Sequence, residues 1–390
     1  MRSKKQNKVN IITLGCSKNM VDSEVMSGQL AANDFDVVHE NAKLDHNIVI
    51  VNTCGFIDKA KEESINTILD QVDLKKKGKL DKVYVTGCLS ERYKNNLEEE
   101  IPEVDAFFGT MELPRLLSTL NADYKAELVG ERLLSTPSHY AYMKISEGCN
   151  RTCSFCAIPL MRGEHRSKSM EELVLEAERL VKMGVKEIML IAQELTYYGL
   201  DLYKKRMLPE LLRSLAKVEG LQWIRLHYAY PSKFPLEIID VMKEEPKICN
   251  YLDMPLQHAS DKMLKAMKRQ ITQQEMRDLI AEIRSRIPGI CLRTTLIAGF
   301  PGETEEDLEE LKGFLEEMQF DRVGVFTYSH EEDTSAYDLK DELTQEEKES
   351  RAQGIIAFQQ DISFEKNQQR SEEHTSELQS RQYLVCRLLL

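Results

Sequence analysis

The first third of the chain repeats one pattern three times, in which a short run of apolar, mostly β-branched residues ends at a cysteine. The runs are VNIITLGC, IVIVNTC and KVYVTGC, which end at Cys16, Cys54 and Cys88. Helix-compatible segments separate them, so the order is β-α-β-α-β, and the right-handed crossover rule predicts parallel strands. Parallel strands end at one edge of their sheet, where open α/β sheets bind ligands. We therefore expect the three cysteines to converge in space although they are distant in sequence.

From about Tyr140 the alternation of strand and helix patterns starts again. Six further segments have the composition of strands, namely YMKISEGC, EIMLIAQE, WIRLHYAY, YLDMPLQ, CLRTTLIAGFPGE and RVGVFTYS. Six strand–helix repeats predict an open or partial (β/α)6 barrel, whose chemistry lies on the loops that follow the strands. The chain is therefore expected to be an α/β protein with two domains, residues 1–134 and 135–369, joined by a linker at Ser135–Tyr140.

The chain of 390 residues carries 52 Lys and Arg against 65 Asp and Glu, a formal net charge of −13. This charge argues against a protein that coats nucleic acid, and it suits a basic partner. The basic N-terminus precedes an apolar run too short for a secretory signal, and no run approaches the length of a membrane span. We expect a cytoplasmic protein whose nine cysteines are metal ligands or buried thiols rather than disulfides.

The segment GCNRTCSFCAIP holds three cysteines within eight positions, Cys149, Cys153 and Cys156. It follows the first strand of the second array, where a barrel places its active site. Thiolates are soft ligands, and an iron–sulfur cluster is normally held by four of them. Three ligands leave one iron open for a substrate or cofactor, which favours a catalytic cluster. A zinc site completed by a remote residue and ordinary buried cysteines are the alternatives.

The spacing CxxxCxxC, with an aromatic residue before the last cysteine, resembles the radical S-adenosylmethionine superfamily. The resemblance implies a [4Fe–4S] cluster on these three cysteines, whose open iron binds S-adenosylmethionine and whose electron cleaves it to a 5′-deoxyadenosyl radical. It also implies cofactor-binding residues, which we assign as Phe155, Gln193, Glu194, Gly299 and Gly302. The two glycines lie in LIAGFPGETEED, which resembles the glycine-containing cofactor segment of that superfamily. A tight turn before a helix that starts at Thr304 is the alternative interpretation of this segment.

The three strand-end cysteines lie in LGCSKNMVDSE, NTCGFIDKAKEES and TGCLSER, which resemble the methylthiotransferase branch of that superfamily. In that branch one cysteine per strand holds a second [4Fe–4S] cluster, so the resemblance implies that Cys16, Cys54 and Cys88 are its ligands. Three separate core thiols are the alternative, and the shared position at strand ends argues against it. Cys249 and Cys291 fit neither pattern and are assigned to packing.

Members of this branch modify either adenosine-37 of transfer RNA or an aspartate of protein twelve of the ribosomal small subunit. The RNA-directed members usually carry a basic residue soon after NTC and another in the loop after the last barrel strand. Here that loop contains Glu331, Glu332 and Asp333, which would repel phosphate and suit a basic protein, and NTCGFI has no basic residue. The resemblance therefore favours the protein-directed enzyme. A transfer-RNA-directed enzyme and a non-catalytic electron-transfer protein are the alternatives.

The reaction that this resemblance implies uses two molecules of S-adenosylmethionine. One methylates sulfur associated with the cluster of the strand-end cysteines. The second yields the radical that removes hydrogen from the β-carbon of the aspartate, which then takes the methylthio group. The expected partners are the basic ribosomal protein and an electron donor, with no membrane and no direct nucleic acid substrate.

Several other residues have both a functional and a structural interpretation. Arg162 and Arg166 are interpreted as contacts for a carboxylate or as surface charge, and His258 as a hydrogen-bonding residue rather than a metal ligand. The aromatic candidates for lining the cavity or for packing in the core are Tyr197, Tyr198 and Tyr228.

The resemblance extends from about Val9 to Gln369, beyond which family members continue into a small C-terminal β-barrel, the TRAM domain. Only residues 370–390, RSEEHTSELQSRQYLVCRLLL, follow here, too few for such a barrel. Because RSEEHTSELQS matches the translation of a common sequencing-library adapter, we expect a truncated gene with a non-native or disordered tail. A lineage-specific tail that forms a short helix is the alternative.

Overall fold

The structure, a computed structural model, describes residues 8–40, 45–128 and 130–373. The first part contains β1 (Lys8–Thr13), α1 (Ser17–Ala31), β2 (Asp36–His39), β3 (Ile48–Thr53), α2 (Asp58–Lys76), β4 (Lys82–Gly87), α3 (Cys88–Glu100), β5 (Ala106–Phe107) and α4 (Leu113–Thr119). A short 3-10 helix, Ala126–Leu128, follows before the linker.

The second part begins with β6 (Tyr140–Lys144), β7 (Ser146–Glu147), α5 (Ile158–Arg162), β8 (Arg166–Ser167), α6 (Met170–Lys182), β9 (Glu187–Ile191), α7 (Leu208–Ala216) and β10 (Trp223–Leu226). It continues with α8 (Glu237–Glu244), β11 (Ile248–Asp253), α9 (Asp261–Ala266), α10 (Gln273–Arg286), β12 (Cys291–Ala298), α11 (Glu305–Met318), β13 (Arg322–Thr327) and α12 (Gln345–Glu373). A 3-10 turn, Leu195–Tyr197, follows β9.

The N-terminal sheet has the strand order β2-β1-β3-β4-β5, and every neighbouring pair is parallel. Its three central strands are those that the sequence predicts. β3 is buried along its whole length, because separate apolar clusters cover the two faces of the sheet. The sequence pattern does not reveal the edge strands β2 and β5, which contain only four and two residues.

The second sheet has the order β13-β12-β11-β10-β9-β6, again with all neighbouring strands parallel. The six predicted strands are confirmed, and β6 and β13 form the two edges of an open barrel. The largest apolar core lies between these strands and the helices around them, and Leu190, Leu226 and Leu252 are fully buried within it. The predicted fold class, α/β with a partial (β/α)6 barrel, is confirmed.

Local sequence determines where three barrel helices begin. α6, α10 and α11 each start with a capping box, in which a hydroxyl accepts from the backbone N–H three residues later and the carboxylate there accepts in return. The three pairs are Ser169 with Glu172, Thr272 with Glu275, and Thr304 with Asp307. The predicted helix start at Thr304 is therefore confirmed.

A small hairpin closes the loop that carries the second group of cysteines. β7 and β8 pair in antiparallel register, Ser146 with Ser167 and Glu147 with Arg166. The predicted strand YMKISEGC is therefore divided between β6 and β7. Because the two ends of the loop are joined, the cysteines between them lie in a closed segment at the end of the first barrel strand.

Buried ion pairs join the two domains. Arg132, just before the linker, lies between Glu24 of α1 and Glu176 of α6, with N–O distances of 3.3 and 3.5 Å. The three side chains are at most 2% exposed. The backbone N–H of Ser135, in the linker, also donates to Glu24 at 2.8 Å. The linker is therefore held against both domains.

The acidic segment after β13 contributes a second interdomain contact. The carboxylate of Glu331 accepts from Arg92 at 2.6 Å and from Lys61 at 3.0 Å, both in the N-terminal domain, and its side chain is 3% exposed. The interpretation of Glu331 as part of a free acidic surface is therefore wrong, because two cations hold it inside the interface. Glu332 and Asp333 are exposed.

The last helix, α12, runs across the predicted start of the tail. Arg370 lies within it and forms an ion pair with Asp321. Residues 374–390, most of the predicted tail, lie outside the described residues. In the described part of the chain, no helix combines the length and the apolar character that crossing a membrane requires.

Replacing Glu331 with glutamine is expected to destabilise the protein, because Arg92 would remain buried without its carboxylate. Loss of one partner from a buried ion pair typically costs about 3–5 kcal/mol. Urea unfolding followed by circular dichroism measures this effect, with Glu332→Gln as the matched control at an exposed neighbour. Similar, small effects of the two substitutions would contradict the buried interdomain pair.

Candidate functional site

The three strand-end cysteines, Cys16, Cys54 and Cys88, form what we call the N-terminal triad. They lie just before α1, after β3 and at the first position of α3, on one edge of the sheet. A Cβ at Gly15 would lie 2.8 Å from the Sγ of Cys54, and a Cβ at Gly55 would lie 3.1 Å from the carbonyl carbon of Cys88. The two glycines therefore let each cysteine-bearing turn approach the next. The fold brings these cysteines together, as the parallel topology predicts.

Asn19, in the first turn of α1, organises this edge. Its Nδ2 donates to the backbone oxygen of Leu14 at 2.8 Å and to that of Thr53 at 2.9 Å. Its Oδ1 lies 3.7 Å from the Sγ of Cys88. One buried amide therefore links all three segments that carry the N-terminal triad.

The second group, Cys149, Cys153 and Cys156, forms what we call the barrel triad. Its loop closes where the N–H of Cys149 donates to the backbone oxygen of Gly163 at 3.1 Å. At the centre of the loop, Ser154 donates its N–H to Met267 at 3.1 Å and accepts from the N–H of Ala336 at 2.8 Å. Met267 directly follows α9, and Ala336 lies in the loop after β13. Backbone contacts to two other segments of the barrel therefore hold the loop of the barrel triad in place.

N–H groups point at two sulfur atoms of the barrel triad. Buried Arg269 donates from Nη1 to the Sγ of Cys153 at 3.1 Å, and the backbone N–H of Arg151 donates to the Sγ of Cys149 at 3.4 Å. The ring of Tyr230 lies between the two guanidinium groups, 3.8 Å from Arg151 and 4.2 Å from Arg269. Such donors stabilise thiolates and adjust the properties of a metal cluster that they hold.

The two strand-end residues assigned to cofactor binding contact protein groups. Buried Glu194 accepts from the Nε of Arg151 at 2.8 Å and from the N–H of Thr196 at 2.8 Å. Gln193 donates to Glu147 at 2.7 Å, whereas its Oε1 is buried with no hydrogen-bond partner among the described residues. Glu194 therefore fixes Arg151, and Gln193 presents an acceptor at the barrel mouth. Contact of either residue with a cofactor stays a prediction.

Burial changes the ionisation of the enclosed thiols. It raises the pKa of Cys88 and Cys156 to about 12 and that of Cys149 to about 11, and it also raises the pKa of Cys54. Thiols with such pKa values ionise near neutral pH when a metal ion coordinates them and displaces the proton. Converging soft sulfur atoms with N–H donors beside them fit an iron–sulfur cluster at each triad.

Within the described ranges, no three His, Cys, Asp or Glu side chains are arranged to hold a single metal ion. A [4Fe–4S] cluster requires a wider arrangement, because each thiolate binds a different iron of the cube. All eight described cysteines are free thiols. The six sulfur atoms of the two triads are therefore available for coordination, and their role as ligands stays a prediction.

The glycine segment after β12 lies beside the barrel triad. Phe155 packs in an apolar cluster with residues of β12 and of the turn that follows it. Gly299 has a φ of +76° and donates its N–H to Glu303 at 2.9 Å, and a Cβ there would lie 2.4 Å from the Cγ of Lys348. The turn and α12 therefore require glycine at this position. Around Gly302 there is open space, and cofactor contact by these residues stays a prediction.

The structure separates the two candidate arginines. Arg166 is exposed on β8, whereas Arg162 is 4% exposed and donates from Nε to the Sγ of Cys88 at 3.2 Å. Arg162 also contacts the carboxylates of Asp22 and Glu147. It therefore binds carboxylates of the protein itself, and its interpretation as surface charge is wrong.

The remaining candidates have structural contacts. His258 is fully buried and its Nδ1 accepts a backbone N–H at 2.9 Å, in agreement with the hydrogen-bonding interpretation. Tyr198 is fully buried in the barrel core. The guanidinium of Arg151 lies 4.0 Å from the ring centre of Tyr197. Lys18 of the N-terminal domain lies 3.4 Å from the ring centre of Tyr228. The last contact makes Tyr228 a part of the domain interface.

Sequence reasoning missed the polar residues that support the cysteines. Arg151 lies inside the motif CNRTC and Asn19 lies inside CSKN, so membership of a cysteine motif is the signal that marks them. Arg269 and Tyr230 have no comparable signal. They belong to other loops, and only the fold brings them to Cys153.

Two family models match separate parts of the chain. Residues 143–315 match the Radical SAM superfamily, and residues 8–109 match the family described as Uncharacterized protein family UPF0004. The first match contains the barrel triad. The second match contains the N-terminal triad.

Curated relatives match nearly the whole chain. Ribosomal protein uS12 methylthiotransferase RimO of Christiangramia forsetii is 62% identical over 369 residues, which are 95% of this chain and 81% of that protein. The chain belongs to the RimO family. The protein of the same name from Flavobacterium johnsoniae is 60% identical over 370 residues, 95% of this chain and 85% of that protein. Its counterpart in Chloroherpeton thalassium is 53% identical over 364 residues, 93% of this chain and 83% of that protein.

Solved structures share the fold at low identity. The radical S-adenosylmethionine methyltransferase TsrM from Kitasatospora setae, with tryptophan and a cofactor analogue bound, has a TM-score of 0.60 and 16% identity, and the match covers 82% of this chain and 72% of that one. The cobalamin-dependent radical enzyme OxsB has a TM-score of 0.56 and 14% identity, with 85% of this chain and 54% of that one covered. These likenesses concern the fold alone.

Replacing Glu194 with glutamine should leave the guanidinium of Arg151 buried without its carboxylate. We expect a loss of about 3–5 kcal/mol of stability. We also expect weaker iron retention, because the N–H of Arg151 lies against Cys149. Urea unfolding and iron content per chain after reconstitution measure the two effects, with exposed Glu164→Gln as the control. Unchanged stability and full iron retention would show that Glu194 does not fix this arginine.

Proposed function

We propose that this chain is a radical S-adenosylmethionine methylthiotransferase that adds a methylthio group to the β-carbon of an aspartate in ribosomal protein uS12. Membership of the RimO family supports this reaction class. The observation that carries the proposal is that the two triads lie on strand-end edges that meet, with Arg162 reaching from one domain to Cys88 in the other. Methylthio transfer needs two centres close together, because one presents the sulfur group and the other generates the radical.

Each triad is assigned one [4Fe–4S] cluster, and the barrel triad leaves one iron open for S-adenosylmethionine. When bound, the clusters and S-adenosylmethionine supply the electron, the radical and the methylthio group. The chain itself supplies ligation, orientation and exclusion of water. A reductant is a required partner of this reaction, and a ribosomal substrate implies the cytoplasm.

The protein groups around the barrel triad have separate roles in this proposal. Arg269 stabilises negative charge on the sulfur of Cys153, to which it donates at 3.1 Å. Glu194 holds the guanidinium of Arg151, a residue of the cysteine loop, in place. The unpaired Oε1 of Gln193 suits a polar group of the cofactor or of the substrate, because buried acceptors are rarely left without a partner.

The surface beside the barrel triad supports a basic protein as the substrate. Exposed Glu332 and Asp333, together with Asp338, line an open depression of about 570 Å³. The neighbouring Ala336 is hydrogen-bonded to the cysteine loop, so this depression adjoins the barrel triad. The three residues directly after NTC, GFI, include Phe56, which is 41% exposed, and contain no basic residue. These features, with the net charge of −13, suit a positively charged protein better than an RNA backbone.

Replacing the whole barrel triad with alanine should remove about half of the iron bound after anaerobic reconstitution, because the other ligands lie on a different sheet. The same change in the N-terminal triad should preserve reductive cleavage of S-adenosylmethionine but abolish methylthio transfer. Iron assays and product analysis measure these effects. The double variant Cys249→Ala, Cys291→Ala is the matched control and should retain all the iron. Full iron content in either triad variant would contradict the ligand assignment.

Mass spectrometry of a deletion strain tests the substrate. Loss of the gene should remove the methylthio group from uS12 and leave transfer RNA unchanged. A change confined to transfer RNA would instead support the RNA-directed alternative. A deletion strain with fully modified uS12 would contradict the proposed function.

A further inference from the structure

Arg162 crosses from the barrel domain into the N-terminal domain. It is the last residue of α5, the helix that follows the barrel triad, and its side chain is 2% exposed. Its Nε donates to the Sγ of Cys88 at 3.2 Å. A ligand assigned to one cluster therefore receives a hydrogen bond from the helix that follows the ligands of the other.

The other nitrogens of this guanidinium are also held. Nη1 contacts Asp22 at 2.6 Å and Glu147 at 3.3 Å, and Nη2 donates to the Oδ1 of Asn19. A guanidinium is planar and rigid, so these contacts fix the direction in which Nε–H points. The donor to the sulfur of Cys88 is therefore built into the junction between the domains.

The charges around Arg162 balance one another. Buried Lys144 contacts both Asp22 and Glu147, so two cations face two carboxylates. Removal of Arg162 would therefore leave an excess of negative charge beside Cys88.

We propose that Arg162 is a positioning residue that raises the reduction potential of the cluster on the N-terminal triad. The inference rests on the proposed function, which assigns a cluster to these ligands. Reduction adds one electron to the cluster and breaks no bond, and the added negative charge spreads onto its sulfur atoms. An N–H donor and a positive charge at Cys88 stabilise this reduced state. Because Arg162 belongs to the barrel domain, the potential depends on the two domains being docked.

Potentiometric titration of the reconstituted holoenzyme, followed by electron paramagnetic resonance, tests this role. The resonance signal that changes when S-adenosylmethionine is added belongs to the cluster on the barrel triad. The other signal belongs to the cluster on the N-terminal triad. Arg162→Gln should shift the midpoint of that second signal to lower potential, and Arg162→Lys should shift it less. Asp22→Asn removes a carboxylate from the same network and should shift it to higher potential. The exposed control, Arg166→Gln, should leave both midpoints unchanged.

Unchanged midpoints in Arg162→Gln and Asp22→Asn, at full iron content, would overturn the inference and leave Arg162 a structural role alone. Equal shifts of both clusters would also overturn it, because the sulfur contact is specific to one triad. If Arg162→Gln does not retain the cluster on the N-terminal triad, the midpoint shifts in Arg162→Lys and Asp22→Asn test the inference instead. Unchanged midpoints in both would overturn it. A wild-type protein with a single cluster would instead contradict the proposed function, so the two failures are distinguishable.

Discussion

In each of the two sheets the strands end on one side, and the contact between these two sides determines where the candidate functional site lies. Each sheet is parallel, so each collects its strand-end loops on one side. Buried charges join the two domains on these sides at Arg162 and Glu331, and away from them at Arg132. Buried ion pairs add little net stability, but breaking one is costly because the remaining charge has no partner. The relative position of the two triads therefore depends on a few oriented charged groups.

Much of the fold follows from short-range patterns in the sequence. A parallel strand that is covered on both faces needs a continuous apolar run, so every strand predicted from such runs is present. Helix starts are equally local, as the capping box at Thr304 illustrates. The crossover rule then places Cys16, Cys54 and Cys88 together at the carboxyl ends of the strands from the sequence alone. The edge strands β2 and β5 could not be predicted in this way, because four and two residues are too few to form a recognisable apolar run.

The polar supports of the site do not follow from such patterns. Glu331 and Glu332 are adjacent and chemically identical, yet only the first is buried, because Arg92 and Lys61 reach it from another domain. Arg162 and Arg166 differ in the same way. Partners so distant in sequence leave no local periodicity. The sequence shows the cysteine motifs, whereas the tertiary structure determines which charged groups lie beside them.

The pairing of Arg92 with Glu331 spans 239 residues, and this distance has a consequence for biosynthesis. A chain emerges from the ribosome N-terminus first, and its domains generally fold in that order. The N-terminal sheet is therefore complete, with its three thiols at an uncovered edge, well before the last barrel loop is synthesised. Arg92 gains its buried carboxylate partner only when the barrel docks, so the order of synthesis makes this interdomain contact one of the last to form.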